Sequence, residues 1–406
     1  MIAKSVCVIG LGYVGLPTAA LLASEGYQVW GTDLNKHIVD AVNRGECHIA
    51  EKNLEDLISL TVTNGSLKAS IKPEKSDIYI ICVPTPCHYE GGKPEPNTNF
   101  IFQALESIIN FLKVGDLLIL ESTAPVGTTK KIEALLLQKN PSASDIFIGY
   151  SPERVLPGNI LKEMVNNDRV VGGNSTKSTD AIAEFYKTFV QGKVLKTDSK
   201  TAELCKLAEN SFRDINIAFA NELSIVCDNE NINVWDLISL ANLHPRVNIL
   251  QPGVGVGGHC IAVDPWFIVS KNPEDARLIK MSRKINDEKK YWVLHQIKIE
   301  VKKFQNANKQ KPIIACLGLT FKSDIDDMRN SPADIVATQL LSEGYDIIGV
   351  EPNIEKHDKI KLMKARKVQK IANIFVVLVK HKEFIELSKV GYFEKLITLD
   401  FCGVIG

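Results

Sequence analysis

Short apolar runs alternate with helical periodicities over the first third of the chain. Val6-Cys7-Val8-Ile9 is an unbroken apolar run ended by glycine, the pattern of a strand buried on both faces. A helix pattern follows over 16–24 and stops at Gly26, and 27–33 reads as a second strand. Further strands are expected at 78–83, 117–120 and 146–148. Strands alternating with helical stretches predict a parallel sheet with crossover helices. The pattern then changes. From 199 to 228 there is no Gly or Pro, and Leu204, Leu207, Ala208, Ile215, Phe219 and Val226 recur mostly at three- and four-residue steps. That spacing predicts one long amphipathic helix. Helical runs follow at 234–241 and 274–306. The last hundred residues return to strands (313–319, 345–350, 373–379, 396–400) around a helix opened by Ser331-Pro332 and closed by Gly344. The reading is α/β, then helical, then α/β, with boundaries that give domains 1–195, 196–305 and 306–406.

Composition narrows the function classes. The 406 residues fit roughly two to four domains. Lys plus Arg and Asp plus Glu are 48 each, so the formal net charge is zero. That argues against a nucleic-acid partner, while leaving room for a local basic pocket around one small phosphorylated ligand. Nine cysteines form no CxxC pair and their number is odd. A disulfide framework or zinc ribbon is therefore not expected, nor any other metal site, and reduced thiols in the cytoplasm are. Apolar runs such as 374–379 fall far short of the roughly 20 residues that span a bilayer. The N-terminus reads as strand and turn without the zones of a signal peptide, so no membrane partner is expected.

Gly10-Leu11-Gly12-Tyr13-Val14-Gly15 lies between the first strand and the first helix, and the second strand ends in Asp33, 18 residues after Gly15. In that context Gly10 allows a tight turn, Gly12 lets backbone approach a pyrophosphate at a helix N-terminus, and Gly15 lets helix and strand pack closely. Asp33 can accept from a ribose diol and would repel a 2′-phosphate, so NAD is expected rather than NADP. The alternative is a structural glycine turn with a surface Asp. The loops Val83-Pro84-Thr85-Pro86 and Glu121 to Thr128 follow strands, and Thr85 and Thr123 could turn hydroxyls toward a cofactor. The expected fold is thus α/β, with two Rossmann-like parallel-sheet domains joined by a central helical domain with one long helix.

Gly255-Val256-Gly257-Gly258-His259-Cys260 places a cysteine after a glycine-rich loop, with Asp264 four residues on. Cys260 is either an accessible nucleophile or a small packed residue. On the long helix Lys206, Asn210 and Arg213 fall on one face at steps of four and three. They form either a solvated stripe or an active-site wall of base, amide donor and anion clamp. Ser151 to Gly158, His244-Pro245-Arg246, Phe321-Lys322-Ser323-Asp324 and Arg329-Asn330-Ser331-Pro332 place charges in turns or at element ends.

Taken in order, GLGYVGLP, the PTP loop, ESTAPVGT, SPERVLPG, ELCKLAENSFRDINIAFANE, GVGVGGHCIAVDPWF and GLTFKSDIDDMRNSP resemble the nucleotide-sugar 6-dehydrogenase family, which includes the UDP-glucose and GDP-mannose dehydrogenases. The resemblance covers nearly the whole chain. It implies a two-step oxidation of a sugar C6 alcohol to a carboxylate that reduces two NAD+. It makes Lys206 the proton acceptor, Asn210 the alkoxide donor and Cys260 the nucleophile, with Glu153, Thr123 and Asp264 orienting or activating the hydrolytic water. It also implies that Tyr13, Val14, Asp33, Thr85, Thr123 and Arg329 contact NAD. Arg154, Val155, Arg213, His244, Arg246, Gly257, Phe321 and Lys322 would line a UDP-sugar, together with Lys206 and Asn210. His244 and Arg246 would act across a homodimer interface built on the long helix. SPERVLPGN, ENSFRDINIAFANE and HPRVNILQPGVGVGGHCIAVDPWF look most like members that act on UDP-N-acetyl-D-mannosamine. UDP-N-acetylglucosamine or UDP-glucose, and a non-catalytic nucleotide-sugar or NAD regulator, are the alternatives. Cys402 departs from the family, which often has a basic residue there.

Overall fold

A computed structural model describes residues 4–49, 51–90, 93–155 and 158–405. Two compact units result. One runs up to Glu209 and adds Trp266–Lys271; the other comprises Asn210–Pro265 and the chain from Asn272 onward.

The first unit is built on an eight-stranded sheet. Its strands are β1 (Ser5–Ile9), β2 (Gln28–Thr32), β3 (Leu67–Ser70), β4 (Ile78–Ile81), β7 (Leu117–Leu120), β8 (Phe147–Tyr150), β9 (Arg169–Gly173) and β10 (Val194–Asp198). A separate antiparallel hairpin is formed by β5 (Cys87–Glu90) and β6 (Lys93–Pro96). The sheet order is β10-β9-β8-β7-β4-β1-β2-β3, and every neighbouring pair is parallel except β8–β9. Period-two alternation explains the apolar runs. Val6, Val8, Ile78, Ile80, Leu117 and Ile119 enter one core, while Cys7, Ile9, Tyr79, Ile81, Leu118 and Leu120 enter a second core. Both faces are covered, so these interior positions are apolar or aromatic. In register, Ile9 pairs with Thr32 and Ile81, Ile81 with Leu120, and Leu120 with Tyr150. The residues that follow these strands, Gly10, Asp33, Cys82, Glu121 and Ser151, therefore emerge along one edge. The strand order reverses at β1, and this is the edge at which open α/β sheets bind ligands.

The second unit carries a parallel four-stranded sheet of β11 (Ile313–Leu317), β12 (Asp346–Val350), β13 (Ile374–Val377) and β14 (Ile397–Asp400), in the order β12-β11-β13-β14. The same alternation sends Ile314, Cys316, Ile374 and Val376 to one core and Ala315, Leu317, Phe375 and Val377 to another. The first turn of this sheet repeats that of the first. Gly10 has φ +93° and donates its N–H to the Thr32 carbonyl, and Leu11 N–H donates to Asp33 at 2.9 Å. Gly318 has φ +87° and donates to the Val350 carbonyl, and Leu319 N–H donates to Glu351 at 2.8 Å. Only glycine adopts such a φ without strain.

Two long helices, Ser199–Asn229 and Arg277–Asn308, give the helical region. The unit boundary falls within the first, after Glu209. In the second unit the two helices are joined by a buried polar network. Arg283 donates to Asp214 at 2.6 Å, and Asn286 donates to Asp214 at 2.8 Å. Asn221 donates to Asn286 at 2.9 Å and accepts from Gly253 N–H at the start of the glycine-rich stretch. The fold is α/β with a Rossmann-like sheet at each end of the chain and a helical region between, as the sequence pattern predicts. The apolar face of the first long helix is divided, however: Leu207 is buried, while Leu204, Phe219 and Val226 are exposed. Among the described residues, no helix is long and apolar enough to cross a membrane.

Candidate active site

In the first unit the glycine fingerprint forms the turn from β1 into the helix Gly15–Ser24. A Cβ at Gly15 would lie 1.8 Å from the Gly10 carbonyl oxygen, so only glycine lets helix and turn pack. A Cβ at Gly12 would meet nothing within 4 Å. That open face at a helix N-terminus is where a pyrophosphate fits. Tyr13 and Val14 complete the turn, Tyr13 exposed and Val14 half-buried. Asp33 is held at the end of β2 by the N–H groups of Leu11 and Asn35, with its carboxylate half-exposed. The residues present therefore fit a dinucleotide with a ribose diol.

Thr85 and Thr123 lie half-buried on the loops that follow the adjacent strands β4 and β7. The Ser122 hydroxyl donates to the Val83 carbonyl at 2.7 Å and ties those loops together. Glu203 fastens the second loop from the long helix. Its carboxylate accepts from Gly127 N–H, Thr129 N–H and the Thr129 hydroxyl at 2.5, 2.7 and 2.6 Å. Burial pushes the Glu203 carboxyl up, against those three donors.

One turn further along the same helix, Lys206 Nζ donates to the Glu153 main-chain carbonyl at 2.9 Å. The Glu153 carboxylate is buried. Its Oε1 accepts from Arg154 N–H at 2.7 Å and its Oε2 from Arg169 at 2.6 Å. Arg169 also donates to Glu121 at 2.6 Å and to Ser151 at 2.9 Å. Burial works against the Arg169 cation, but the Glu153 and Glu121 carboxylates outweigh it and hold the guanidinium above its usual range. Burial pushes Glu121 up despite Arg169. Arg154 donates to Glu209 at 2.9 Å and to the Asp168 carbonyl, and Val155 packs on the core beside it. Leu156 and Pro157 of the same motif lie outside the described residues.

The second unit holds the thiol. Of the nine cysteines, all among the described residues, Cys260 alone is exposed. Burial pushes Cys7 and Cys402 above the usual thiol range and Cys316 up to about 12. The Cys260 carbonyl accepts from Val263 and Asp264 N–H at 2.9 and 2.8 Å, closing a turn into the helix Asp264–Lys271. The buried Asp264 carboxylate accepts from Asn210 Nδ2 at 2.5 Å. Asp264 thus joins the amide on the long helix to the cysteine turn. The glycines before it pack on the segment after β11. A Cβ at Gly257 would lie 2.5 Å from the Asn330 carbonyl oxygen and 2.9 Å from Phe321 Cβ. Gly258 N–H donates to the Arg329 carbonyl at 3.0 Å. Phe321 is half-buried and Lys322 exposed, and the Arg329 guanidinium is paired with Asp327 at 2.5 Å. Arg213 is exposed on the long helix. His244 and Arg246 are exposed in one turn, with His244 Nδ1 accepting from Arg246 N–H.

Sequence reasoning did not find Arg169, Glu203, Asn221 or Asn286 as parts of this framework. A charged residue opening the apolar run of β9 was the signal for Arg169. Glu203 lies one turn before Lys206 in a helix with many polar residues, and nothing in its spacing sets it apart.

Comparisons with known proteins agree in order along the chain. Residues 4–190, 200–288 and 315–405 match the NAD-binding, central and UDP-binding domains of the UDP-glucose/GDP-mannose dehydrogenase family. A UDP-N-acetyl-D-mannosamine dehydrogenase of Campylobacter jejuni is 50% identical over 95% of this chain and 97% of its own. An NDP-N-acetyl-D-galactosaminuronic acid dehydrogenase of Ralstonia nicotianae is 47% identical over 95% of this chain and 92% of its own. The solved structure of a UDP-D-ManNAc dehydrogenase from Pyrococcus horikoshii superposes with a TM-score of 0.88 at 35% identity, covering 99% of this chain and 96% of that one. With its glycine turn and Asp33 fitted to NAD, and all three domain models matched in sequence order, the chain belongs to the UDP-glucose/GDP-mannose dehydrogenase family.

Proposed function

We propose that this chain oxidises UDP-N-acetyl-D-mannosamine at C6 to the uronate, taking up one water and reducing two NAD+ per sugar. The observation that carries the reading is the tie through Asp264 between the Asn210 amide and the turn of the one exposed cysteine. NAD, when bound by the Gly10–Gly15 turn and Asp33, supplies the hydride acceptor for both oxidations. Lys206 takes the proton of the C6 alcohol, and Asn210 donates to the oxygen as charge develops on it. Cys260 adds to the resulting aldehyde and forms a thiohemiacetal. Loss of a second hydride leaves a thioester, which water cleaves to the carboxylate and the free thiol. Asp264, Thr123 and Glu153 are assigned to that water. Arg154, Val155, Arg213, His244, Arg246, Gly257, Phe321 and Lys322 bind the UDP-sugar in this reading, and Arg329 assists the cofactor. The product fits a precursor of surface polysaccharide.

The chain works as a homodimer in the cytoplasm on the same reading. Phe212, Phe219 and Val226 are 71%, 51% and 50% exposed along the first long helix, an apolar surface that a second copy would cover. The name of the Ralstonia relative, 47% identical, supports a second substrate reading, a UDP-N-acetylhexosamine of galacto configuration. The test is NADH formation with UDP-N-acetylmannosamine, UDP-N-acetylgalactosamine, UDP-N-acetylglucosamine and UDP-glucose. Two NADH per UDP-N-acetylmannosamine is the expected result. Preference for another sugar overturns the substrate, and no NADH from any of them favours a non-catalytic regulator.

A further inference from the structure

The cluster around Arg169 is costly where it stands. Arg169, Glu121 and Glu153 are 5%, 3% and 8% exposed. Buried ion pairs of this kind are poor stabilising devices, because desolvation offsets most of the Coulomb gain. Their placement points to geometry instead. The Arg169 guanidinium sends each of its three nitrogens to a different residue: Nε to Ser151, one terminal nitrogen to Glu153 and the other to Glu121. Glu121 opens the loop after β7 that carries Thr123, and Ser151 and Glu153 lie in the loop after β8. The ring of Tyr186 stacks on the guanidinium at 4.4 Å, and its hydroxyl donates to Glu121 at 2.5 Å. Both Glu153 carboxylate oxygens are taken, one by Arg169 and one by Arg154 N–H, which fixes the peptide whose carbonyl receives Lys206 Nζ.

We propose that Arg169 is a positioning residue for the oxidation. By gripping the Glu121 and Glu153 carboxylates it fixes the loops that carry Thr123 and Glu153, and through the Glu153 carbonyl it sets the amine of Lys206. Lysine cannot replace it, because a single ammonium lacks the planar three-way fork. The inference rests on the reaction proposed above, in which Lys206 is the proton acceptor.

The test compares wild type with Arg169→Lys, Ser151→Ala, Glu153→Gln and the double variant Arg169→Lys/Glu153→Gln. For each, kcat and KM are measured with NAD and UDP-N-acetylmannosamine, along with NAD affinity by fluorescence titration and the thermal midpoint. The expected result is a kcat about 30-fold or more lower for Arg169→Lys, with NAD affinity within about 3-fold of wild type. The double variant should lose less than the product of the two single losses, because both variants break the link between Arg169 and Glu153. Ser151→Ala removes one acceptor of the fork and no charge, so it stays folded. It should lower kcat about 5-fold at unchanged NAD affinity, and it decides the matter if Arg169→Lys fails to fold. Wild-type kcat in Ser151→Ala and in folded Arg169→Lys, or effects that multiply in the double variant, overturn the positioning role while wild-type turnover leaves the reaction standing. A wild-type chain that oxidises none of the four UDP-sugars overturns the reaction and this assignment with it.

Discussion

Asn210 donates its side-chain amide to the Asp264 carboxylate at 2.5 Å, and both groups are held on helices. A charge-assisted hydrogen bond of that length orients the amide more firmly than a neutral one. Asp264→Asn keeps the shape and removes the charge. It is expected to lower kcat about 100-fold and to slow release of the first NADH, because Asn210 is assigned to the oxygen of the first oxidation. Rapid-quench kinetics check this, and wild-type kcat would reduce Asp264 to a helix-terminal residue.

Cys260→Ser should abolish thioester formation and leave aldehyde-level product in single turnover, with loss of the second NADH. The thiol also gives a labelling test. In the native wild type Cys260 should react fastest with a thiol reagent, because it is exposed while Cys7, Cys227, Cys316 and Cys402 are buried. Mass spectrometry of the labelled peptides reads the outcome directly.

The two glycines of the fingerprint predict opposite behaviours. Gly15→Ala places a Cβ 1.8 Å from the Gly10 carbonyl oxygen and should unfold the turn, lowering the thermal midpoint. Gly12→Ala meets no protein atom within 4 Å. It should keep the thermal midpoint of wild type and lose NAD affinity about tenfold or more. Equal NAD affinity in Gly12→Ala would place the pyrophosphate elsewhere.

Glu351 predicts an acid-sensitive second unit. Burial pushes its carboxyl up, but the hydrogen bonds from His381 and Leu319 N–H outweigh it and hold the group at about 2. The folded value lies below the unfolded one of about 4.3. The contribution, about 3 kcal/mol, is therefore present above pH about 4.3 and is lost as pH falls toward 2. Glu351→Gln should lower the urea midpoint at pH 7 and flatten its fall between pH 4.3 and 2.

Lys289 predicts a slope of the same sign at alkaline pH. It is 2% exposed, and burial lowers its amine to about 7 despite Asp228. Its Nζ lies over the Trp292 ring at 3.5 Å and donates to the Ser224 hydroxyl at 2.7 Å. Below pH 7 the fold bears the charged amine, and the cost is relieved as pH rises from about 7 toward the unfolded value near 10.4. Lys289→Met should raise the thermal midpoint at pH 6, with a gain that shrinks by pH 10. A lower midpoint at pH 6 would mean that the Ser224 and Trp292 contacts outweigh the cost of burying the charge.

The central strands were legible because burial on both faces leaves unbroken apolar or aromatic runs in β4, β7, β11 and β13 and in β1 after Ser5. The first long helix was legible to within a residue of its ends, since nothing interrupts it. β3, β9 and β10 were not, because their sequences LKAS, RVVGG and VLKTD mix polar and small residues, and pairing at the periphery decides their state. The candidate site divides in the same way. Gly10, Asp33, Lys206, Asn210 and Cys260 lie in local motifs. Arg169 meets Glu121 across 48 residues, and Glu203 meets Thr129 across 74. Such pairs have no local spacing to reveal them.

The repeated strand–glycine–acid turn sets a stoichiometry. In the first sheet Asp33 keeps a half-exposed carboxylate, open to a diol. In the second, the Glu351 carboxylate is sealed from solvent. It accepts from Leu319 and Thr320 N–H, the Asn353 backbone and amide, and His381 Nε2 at 3.0 Å. Every lone pair that a ribose would need is already committed inside the protein. Two copies of one architectural unit thus leave a single dinucleotide port, and titration with NAD should saturate at one equivalent per chain.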